Sequence, residues 1–149
     1  MAGVNISIQT AKIATGNSAK TLLQLVAAAQ QRVKVKEISI SFDGVSNTGV
    51  PILVEVVRQT SAGTMSAQTI RKWNNSDGET LQTTAQNTAT AEPTDSGDVP
   101  VAEQVHPQQG FLWQARYADE LIAKGGERLG IRVTAAVGVN AVVRMMGEE

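Results

Sequence analysis

Few residues in this sequence have side chains suited to catalysis. The chain has no cysteine and one histidine, His106, so a thiol nucleophile, an iron–sulfur cluster and the usual zinc sites cannot form within one chain. His106 stands before Pro107 in a turn signal, and the Gly-x-Ser-x-Gly pattern of a nucleophile elbow does not occur. We therefore expect His106 to be a surface turn residue and not a member of a catalytic triad.

Two further motifs resemble chemical sites but lack what each site requires. The segment 14–21 ends in Lys-Thr like a phosphate-binding loop, yet Ala14 and Ala19 occupy the positions where glycine must curl the backbone round phosphate. Asp119 and Glu120 are adjacent on a predicted helix, so their carboxylates point apart and do not form an acid–base pair. The sequence therefore predicts no enzymatic activity and no cofactor.

A polar segment, residues 74–99, carries five carboxylates and no Lys or Arg. It is rich in threonine and too poor in large aliphatic residues to build a core. We expect a long arm without secondary structure that crosses to a neighbouring subunit and does not lie on its own domain, the alternative being a plain surface loop. The first candidate ligands for a calcium ion in this segment are Asp77, Glu79, Asp95 and Asp98. Its fifth carboxylate is Glu92.

The remaining candidate interaction residues are a basic stripe and two aromatic side chains. Arg32, Lys34 and Lys36 share one face of a predicted strand; they form either a binding site for an acidic partner, such as the arm of another chain, or only the wet face of that strand. Trp73 and Trp113 are the two tryptophans of a chain with 3% aromatic residues. We expect them to pack in the core or in a subunit interface.

Composition narrows the class of protein. A length of 149 residues suits one domain, and Val and Ile far outnumber Leu, which favours strands over helices. The formal net charge of −1 creates no positive field, so we expect no nucleic-acid partner. No apolar run approaches a membrane span, and residues 1–10 lack the pattern of a signal peptide, so we expect a soluble protein without a membrane partner.

Hydrophobic periodicity and turn residues predict a series of short strands. Residues 21–31 fit either a helix or a strand, and we favour a strand to about residue 27. The parity of buried positions changes between Val35 and Ile38, which predicts a β-bulge near Lys36 and Glu37. The other predicted strands are 3–9, 32–42, 51–59, 67–73, 101–105, 111–117, and 128–146 as two strands or one bent strand.

The connections between these strands are predicted from glycine, proline and asparagine signals. Residues 43–49 predict a hairpin, residues 106–110 a turn, and Ala118–Lys124 two turns of helix that end at Gly125. Together these elements predict an all-β protein, with residues 1–149 forming a single jelly-roll-like β-sandwich or barrel that carries a long polar arm or loop.

Four stretches of the sequence resemble a known family. They are Val33–Gly44, Val50–Val56, Thr90–Thr94 and Leu129–Ala135, and they are similar to stretches of small auxiliary virion proteins of tailed bacteriophages, the capsid decoration or cement proteins. The resemblance implies a jelly-roll-like domain on the outside of an icosahedral head, commonly a homotrimer, that braces neighbouring subunits of the major capsid protein. It implies synthesis in the cytoplasm of a bacterial host and localisation to the virion, and it brings no catalytic residue.

Two other functions remain open. A carbohydrate- or receptor-binding β-sandwich of a phage virion would use loop-tip aromatics and polar clusters, here Trp73 and the residues 74–77. A small β-barrel hydrolase or isomerase would require a polar pocket with a strongly perturbed carboxylate.

Overall fold

The computed structural model describes residues 3–43 and 49–149, and within these residues the chain is all-β with no helix. Two antiparallel sheets pack as a sandwich, which confirms the predicted fold class. The strands are β1 Asn5–Gln9, β2 Ile13–Ala14, β3 Lys20–Val26, β4 Val33–Asp43, β5 Ile52–Gln59, β6 Thr64–Gln68, β7 Ile70–Lys72, β8 Thr84–Ala91, β9 Val101–Val105, β10 Phe111–Gln114, β11 Leu121–Ala123, β12 Arg128–Thr134 and β13 Asn140–Glu148.

The first sheet has the order β10-β4-β13-β1-β7, with β11 also paired to β4 and β2 to β13. The second sheet has the order β6-β8-β3-β12-β5-β9. Successive side chains of a strand point to opposite faces, and in β13 this buries Ala141, Val143 and Met145 while their neighbours stay half-buried. The aliphatic core lies between the two sheets and draws on β1, β4 and β13 from one side and β3, β5 and β12 from the other.

The predicted strand over residues 21–27 and the predicted β-bulge are both confirmed. Lys20–Val26 is a strand with an almost fully buried sequence. In the pairing of β13 with β4, Met146 lies opposite Glu37 and Gly147 lies opposite Val35. Lys36 is therefore the extra residue of a bulge, which keeps the buried positions before and after it on the same face.

The polar segment does not form the predicted unstructured arm. Its central part is β8, which pairs with β3 along one side and with β6 along the other. Ala85 and Ala89 are buried, so small side chains suffice at the inward positions, and threonine favours extended backbone. The expectation that this segment leaves its own domain is wrong, although residues 74–83 and 92–100 around the strand are largely irregular and exposed.

Several predicted connections join the two sheets instead of forming hairpins. β4 belongs to the first sheet and β5 to the second, so the predicted hairpin at 43–49 is wrong; its residues 44–48 lie outside the described residues. The predicted strand 67–73 changes sheet at Thr69, and 128–146 forms two strands, one in each sheet. Turn residues in the sequence indicate where the chain reverses, but they do not specify which strand the next strand pairs with.

The predicted helix at Ala118–Lys124 is also wrong. Ala118 has a φ of 68°, a left-handed conformation that ends a right-handed helix. Leu121–Ala123 instead pairs antiparallel with Val33–Val35 of β4. The part of β4 that β10 leaves uncovered, Val33–Val35, offers backbone hydrogen bonds, and Leu121 also gains core contacts; these outweigh the helical propensity of so short a segment.

Candidate functional site

An open groove of about 490 Å³ crosses the outer face of the first sheet. Its lining comes from strands that are distant in sequence: β1, β4 and β13, the residue after β7, and the end of β10. The lining residues are Asn5, Lys36, Glu37, Trp73, Gln114, Ala115, Met146 and Gly147. Two side chains that the sequence singles out separately, Lys36 and Trp73, are thus brought into one site.

The bulge in β4 positions the charged residues of the groove. Because Lys36 is inserted without a partner on β13, both Lys36 and Glu37 reach the groove, whereas in a regular strand adjacent residues point to opposite faces. Opposite the bulge stands Gly147, where an added Cβ would lie 2.5 Å from the carbonyl oxygen of Lys34. The close approach of β13 to the bulge therefore requires glycine at this position.

Trp73 directly follows the last residue of β7. Its backbone N–H donates to the carbonyl oxygen of Asn5 at 2.8 Å, so the main chain is fixed on the sheet. The residue is 58% exposed, and it lines the groove. Trp73 does not pack in the core, so the subunit-interface alternative stays a prediction for it, whereas Trp113 faces inward and packs against the aliphatic core, as predicted.

Lys36 is held in an ion pair. Its Nζ donates to Oε2 of Glu148 at 2.6 Å and to Oδ1 of Asn5 at 3.1 Å. The hydrogen bond from Lys36 lowers the pKa of Glu148 below its ordinary value; burial opposes this shift, and the N–H of Gly3 and the charges of Lys36 and Lys34 add to it. Glu148 is therefore a carboxylate that stays ionised and not a candidate proton donor at neutral pH.

Glu37 is paired as well. One of its oxygens accepts from the guanidinium of Arg144, and the other accepts from Nε2 of Gln114 at 2.9 Å. Nε of Arg144 is a buried nitrogen without a hydrogen-bond partner among the described residues. The groove thus contains one cation and one anion, Lys36 and Glu37, and each is neutralised by a neighbour.

An apolar edge lies beside the groove, on β10, β11 and the loop between them. Leu112 is 57% exposed, Ile122 40% and Tyr117 99%. Leu112 pairs with Ser39 and Ile122 with Lys34, both outward positions of β4, so the two aliphatic side chains share the outer face. None of these three residues stands out in the sequence, although Leu112 and Ile122 each alternate with neighbours that pack against the core.

The basic stripe is only partly available for a partner. Lys36 is occupied by Glu148, while Arg32 is exposed and Lys34 half-buried. In the part of the chain that the structure describes, neither Arg32 nor Lys34 has a carboxylate within ion-pair distance. Lys34 lies opposite Ile122, and Arg32 directly precedes β4 at the same end, so this end of the apolar edge is bordered by positive charge.

Three of the five carboxylates of the polar segment bind the chain's own domain. Glu92 accepts hydrogen bonds from Thr21, Asp95 pairs with Arg132, and Asp98 pairs with Arg58 at 2.8 Å. They are thus not free to bind the basic stripe of another chain. Burial lowers the pKa of Arg132, but its hydrogen bond with Glu55 and the charges of Asp95 and Glu55 outweigh burial and raise this pKa above its ordinary value.

The other two carboxylates lie in the exposed part of the segment. Glu79 is exposed and Asp77 half-buried, with the backbone oxygen of Asp77 accepting from Lys72 at 2.6 Å. Over residues 3–43 and 49–149, no three His, Cys, Asp or Glu side chains form a group able to hold a metal ion. The four carboxylates named as first calcium candidates are therefore not assembled into a site.

His106 lies in a turn, as predicted: its carbonyl oxygen accepts from the N–H of Gln109 and its Nδ1 from the N–H of Gln108, at 3.0 and 3.2 Å. The turn joins β9 of the second sheet to β10 of the first.

Sequence comparison adds no relative to these observations. Family models, curated proteins and solved structures were compared with the chain, and none of the three comparisons finds a match. Among the residues that the structure describes there is also no helix long and apolar enough to cross a membrane.

Proposed function

We propose that the protein is a non-enzymatic structural protein of a phage virion, which binds the outer surface of the capsid and stabilises it by bridging neighbouring subunits of the major capsid protein. The sequence resemblance to capsid decoration proteins motivates this proposal. The observation that carries it furthest is the apolar edge of Leu112, Tyr117 and Ile122. Large apolar side chains exposed along one edge of a domain are typical of a protein–protein contact.

Tyr117 is suited to be the anchor of such a contact. It projects from the loop between β10 and β11 with 99% of its surface exposed, and tyrosine is among the residues that most often dominate interface energies. Leu112 on β10 and Ile122 on β11 supply further apolar area on the two strands that hold this loop. Arg32 and Lys34 lie on the border of this edge. The complementary surface of the capsid therefore has a depression that accepts the ring of Tyr117 and carboxylates at the rim of that depression.

Repetition of the contact over an assembly supplies the stability that a single contact lacks. A homotrimer, which the resemblance implies, would present three such edges, and linked contacts bind more tightly than separate ones. We propose that the trimer forms through other surfaces and leaves the β10–β11 edge for the capsid.

Binding to phage heads that lack the protein tests the proposal. Purified protein is mixed with such heads and co-sedimented, and the heads are examined by electron microscopy. We expect specific retention that falls at least tenfold for Tyr117→Ala and for the double variant Leu112→Ser/Ile122→Ser. The matched control is Val137→Ser, because Val137 is 43% exposed and lies between β12 and β13, away from this edge.

Two results would overturn the proposal. The first is that the wild-type protein does not co-sediment with the heads at any concentration at which it stays in solution by itself. The other is full retention of both edge variants while their melting temperatures match that of the wild type, because the apolar edge would then have no part in binding. Light scattering of the free protein measures the trimer separately.

A further inference from the structure

We propose that the groove beside Trp73 binds a neutral saccharide. This inference does not depend on capsid binding, which uses a different set of residues. It rests on the coincidence of three features in one place: an exposed indole, a depression of ligand size, and hydrogen-bonding side chains whose charges are already compensated.

The size and shape of the groove suit a small ligand. Ligand sites in proteins commonly enclose ~300–1,000 Å³, and this groove has about 490 Å³. Its floor is formed by Met146 and Gly147 on β13, a strand flanked on both sides in the first sheet. Trp73 belongs to the β7 edge, and Gln114 and Ala115 belong to the β10 edge. A site built on paired strands is largely preformed, which reduces the entropy cost of binding.

Trp73 offers a stacking surface. The chain contains two tryptophans, and this residue is 58% exposed although its backbone N–H is hydrogen-bonded to β1. One face of a pyranose ring presents C–H groups, which pack well on the electron-rich face of an indole. The hydroxyls of the same sugar point outward from the ring edge and need hydrogen-bond partners.

The polar residues of the groove supply such partners without a net charge. Asn5 and Gln114 carry amides, which donate and accept as a hydroxyl does. Lys36 is neutralised by Glu148 at 2.6 Å, and Glu37 is neutralised by Arg144. A phosphate or a sulfated chain would find no uncompensated cation in the groove, whereas the hydroxyls of a neutral ligand can hydrogen-bond to both Lys36 and Glu37.

The polar cluster at residues 74–77 does not belong to this site. These residues follow Trp73 in a turn in which the N–H of Asp77 donates to the carbonyl oxygen of Asn74 at 3.3 Å. None of them lines the groove. The polar residues that line the groove together with Trp73 come instead from β1, β4 and β10, which lie far from Trp73 in the sequence.

A glycan array with neutral, sialylated and sulfated oligosaccharides, probed with the intact protein, tests the inference. A neutral glycan identified on the array is then titrated in solution, with the fluorescence of Trp73 followed in a Trp113→Phe background. We expect binding to neutral glycans, a shift of the Trp73 emission on binding, and a loss of at least tenfold in affinity for Trp73→Ala and a smaller loss for Gln114→Ala. Tyr117→Ala is the matched control, because it removes an exposed aromatic side chain outside the groove and should retain wild-type affinity.

Three results would overturn the inference: no glycan bound above background, binding restricted to sialylated or sulfated glycans, or wild-type affinity in a folded Trp73→Ala variant. Melting temperatures of all variants exclude unfolding as the cause of a loss. Capsid retention of Trp73→Ala should stay at the wild-type level, so a failure of this inference and a failure of the proposed capsid binding are observed separately.

Discussion

The carboxylate of Glu92 accepts hydrogen bonds from the backbone N–H of Thr21 at 2.9 and 3.0 Å and from its hydroxyl at 2.7 Å. Thr21 lies on β3, and Glu92 directly follows β8. The hydroxyl of Thr21 accepts from Gln59 at 3.1 Å, and Gln59 accepts from Gln24 at 2.8 Å. These buried amides and hydroxyls satisfy one another, and Glu92 joins the polar segment to them.

Removal of this carboxylate should destabilise the fold. We expect Glu92→Ala to lower the free energy of unfolding by ~1–3 kcal/mol, because Thr21 is buried and would keep an unpaired N–H. Urea denaturation at neutral pH measures the change. Glu79→Ala, which removes an exposed carboxylate of the same segment, should change stability by less than ~0.5 kcal/mol. Equal effects of the two variants would contradict a structural role for Glu92.

The whole polar segment should be indispensable for folding. Replacement of residues 76–97 by a short Gly/Ser linker removes β8, and with it the only partner of β6 and one neighbour of β3 within the described sheet. We expect this variant to show no cooperative thermal unfolding by circular dichroism. As a control, Gly/Ser replacement of residues 78–80 alone, which are exposed, should leave the melting temperature within a few degrees of the wild type. A cooperative transition in the larger replacement would show that β8 is not an integral strand.

The sequence alone was sufficient for the fold class and for local backbone features. Alternating aliphatic residues indicate β1, β4 and β13, and the shift of parity between Val35 and Ile38 indicates the bulge at Lys36. Both signals are local, since each depends only on which side chains must reach the core. The strand β8 was missed because its buried positions are Ala85 and Ala89, whose small side chains give little hydrophobic contrast with threonine.

The site was only partly predictable, because its residues meet through sheet order. Lys36 and Trp73 were recognised as candidates, but the pairing of β4 with β13, of β13 with β1 and of β1 with β7 is needed to bring them into one groove. Connections that cross between the sheets determine this order, and turn residues do not encode it. Gln114 and Met146 were missed for the same reason: as isolated residues they are ordinary outward positions of strands.

The ion pair of Lys36 with Glu148 should make stability depend on pH. The pKa of Glu148 is lowered from its ordinary 4.5, so its charge stabilises the fold fully above that value, and this stabilisation is lost as pH falls through the lowered pKa of the folded state. We expect Glu148→Gln to be less stable than the wild type at pH 7 by ~0.2–1 kcal/mol, since the pair is partly exposed. The difference should shrink in strong acid.

Urea denaturation of both proteins between pH 7 and strong acid measures this difference. Glu103→Gln is the control, because Glu103 is an exposed residue of the edge strand β9, and it should show no such dependence. A Glu148→Gln deficit that stays constant across the pH range would mean that lost packing, and not the charge, is responsible.

Gly147 should be the least replaceable residue of the groove. A methyl group there would lie 2.5 Å from the carbonyl oxygen of Lys34 and 3.4 Å from Cα of Val35, and these are backbone atoms of β4 that cannot move without opening the β4–β13 ladder. We therefore expect Gly147→Ala to lower the free energy of unfolding by ~1–3 kcal/mol, the usual cost of overpacking. Gly78→Ala is the matched control, because a Cβ at that position meets nothing within 4 Å, and it should be neutral or slightly stabilising.

Because Lys36 and Glu37 are held in place by this bulge, the Gly147 variant should also show altered chemical shifts for the Trp73 indole N–H, whereas the Gly78 variant should not. An unchanged stability and an unchanged indole signal in Gly147→Ala would mean that β13 does not approach the bulge so closely.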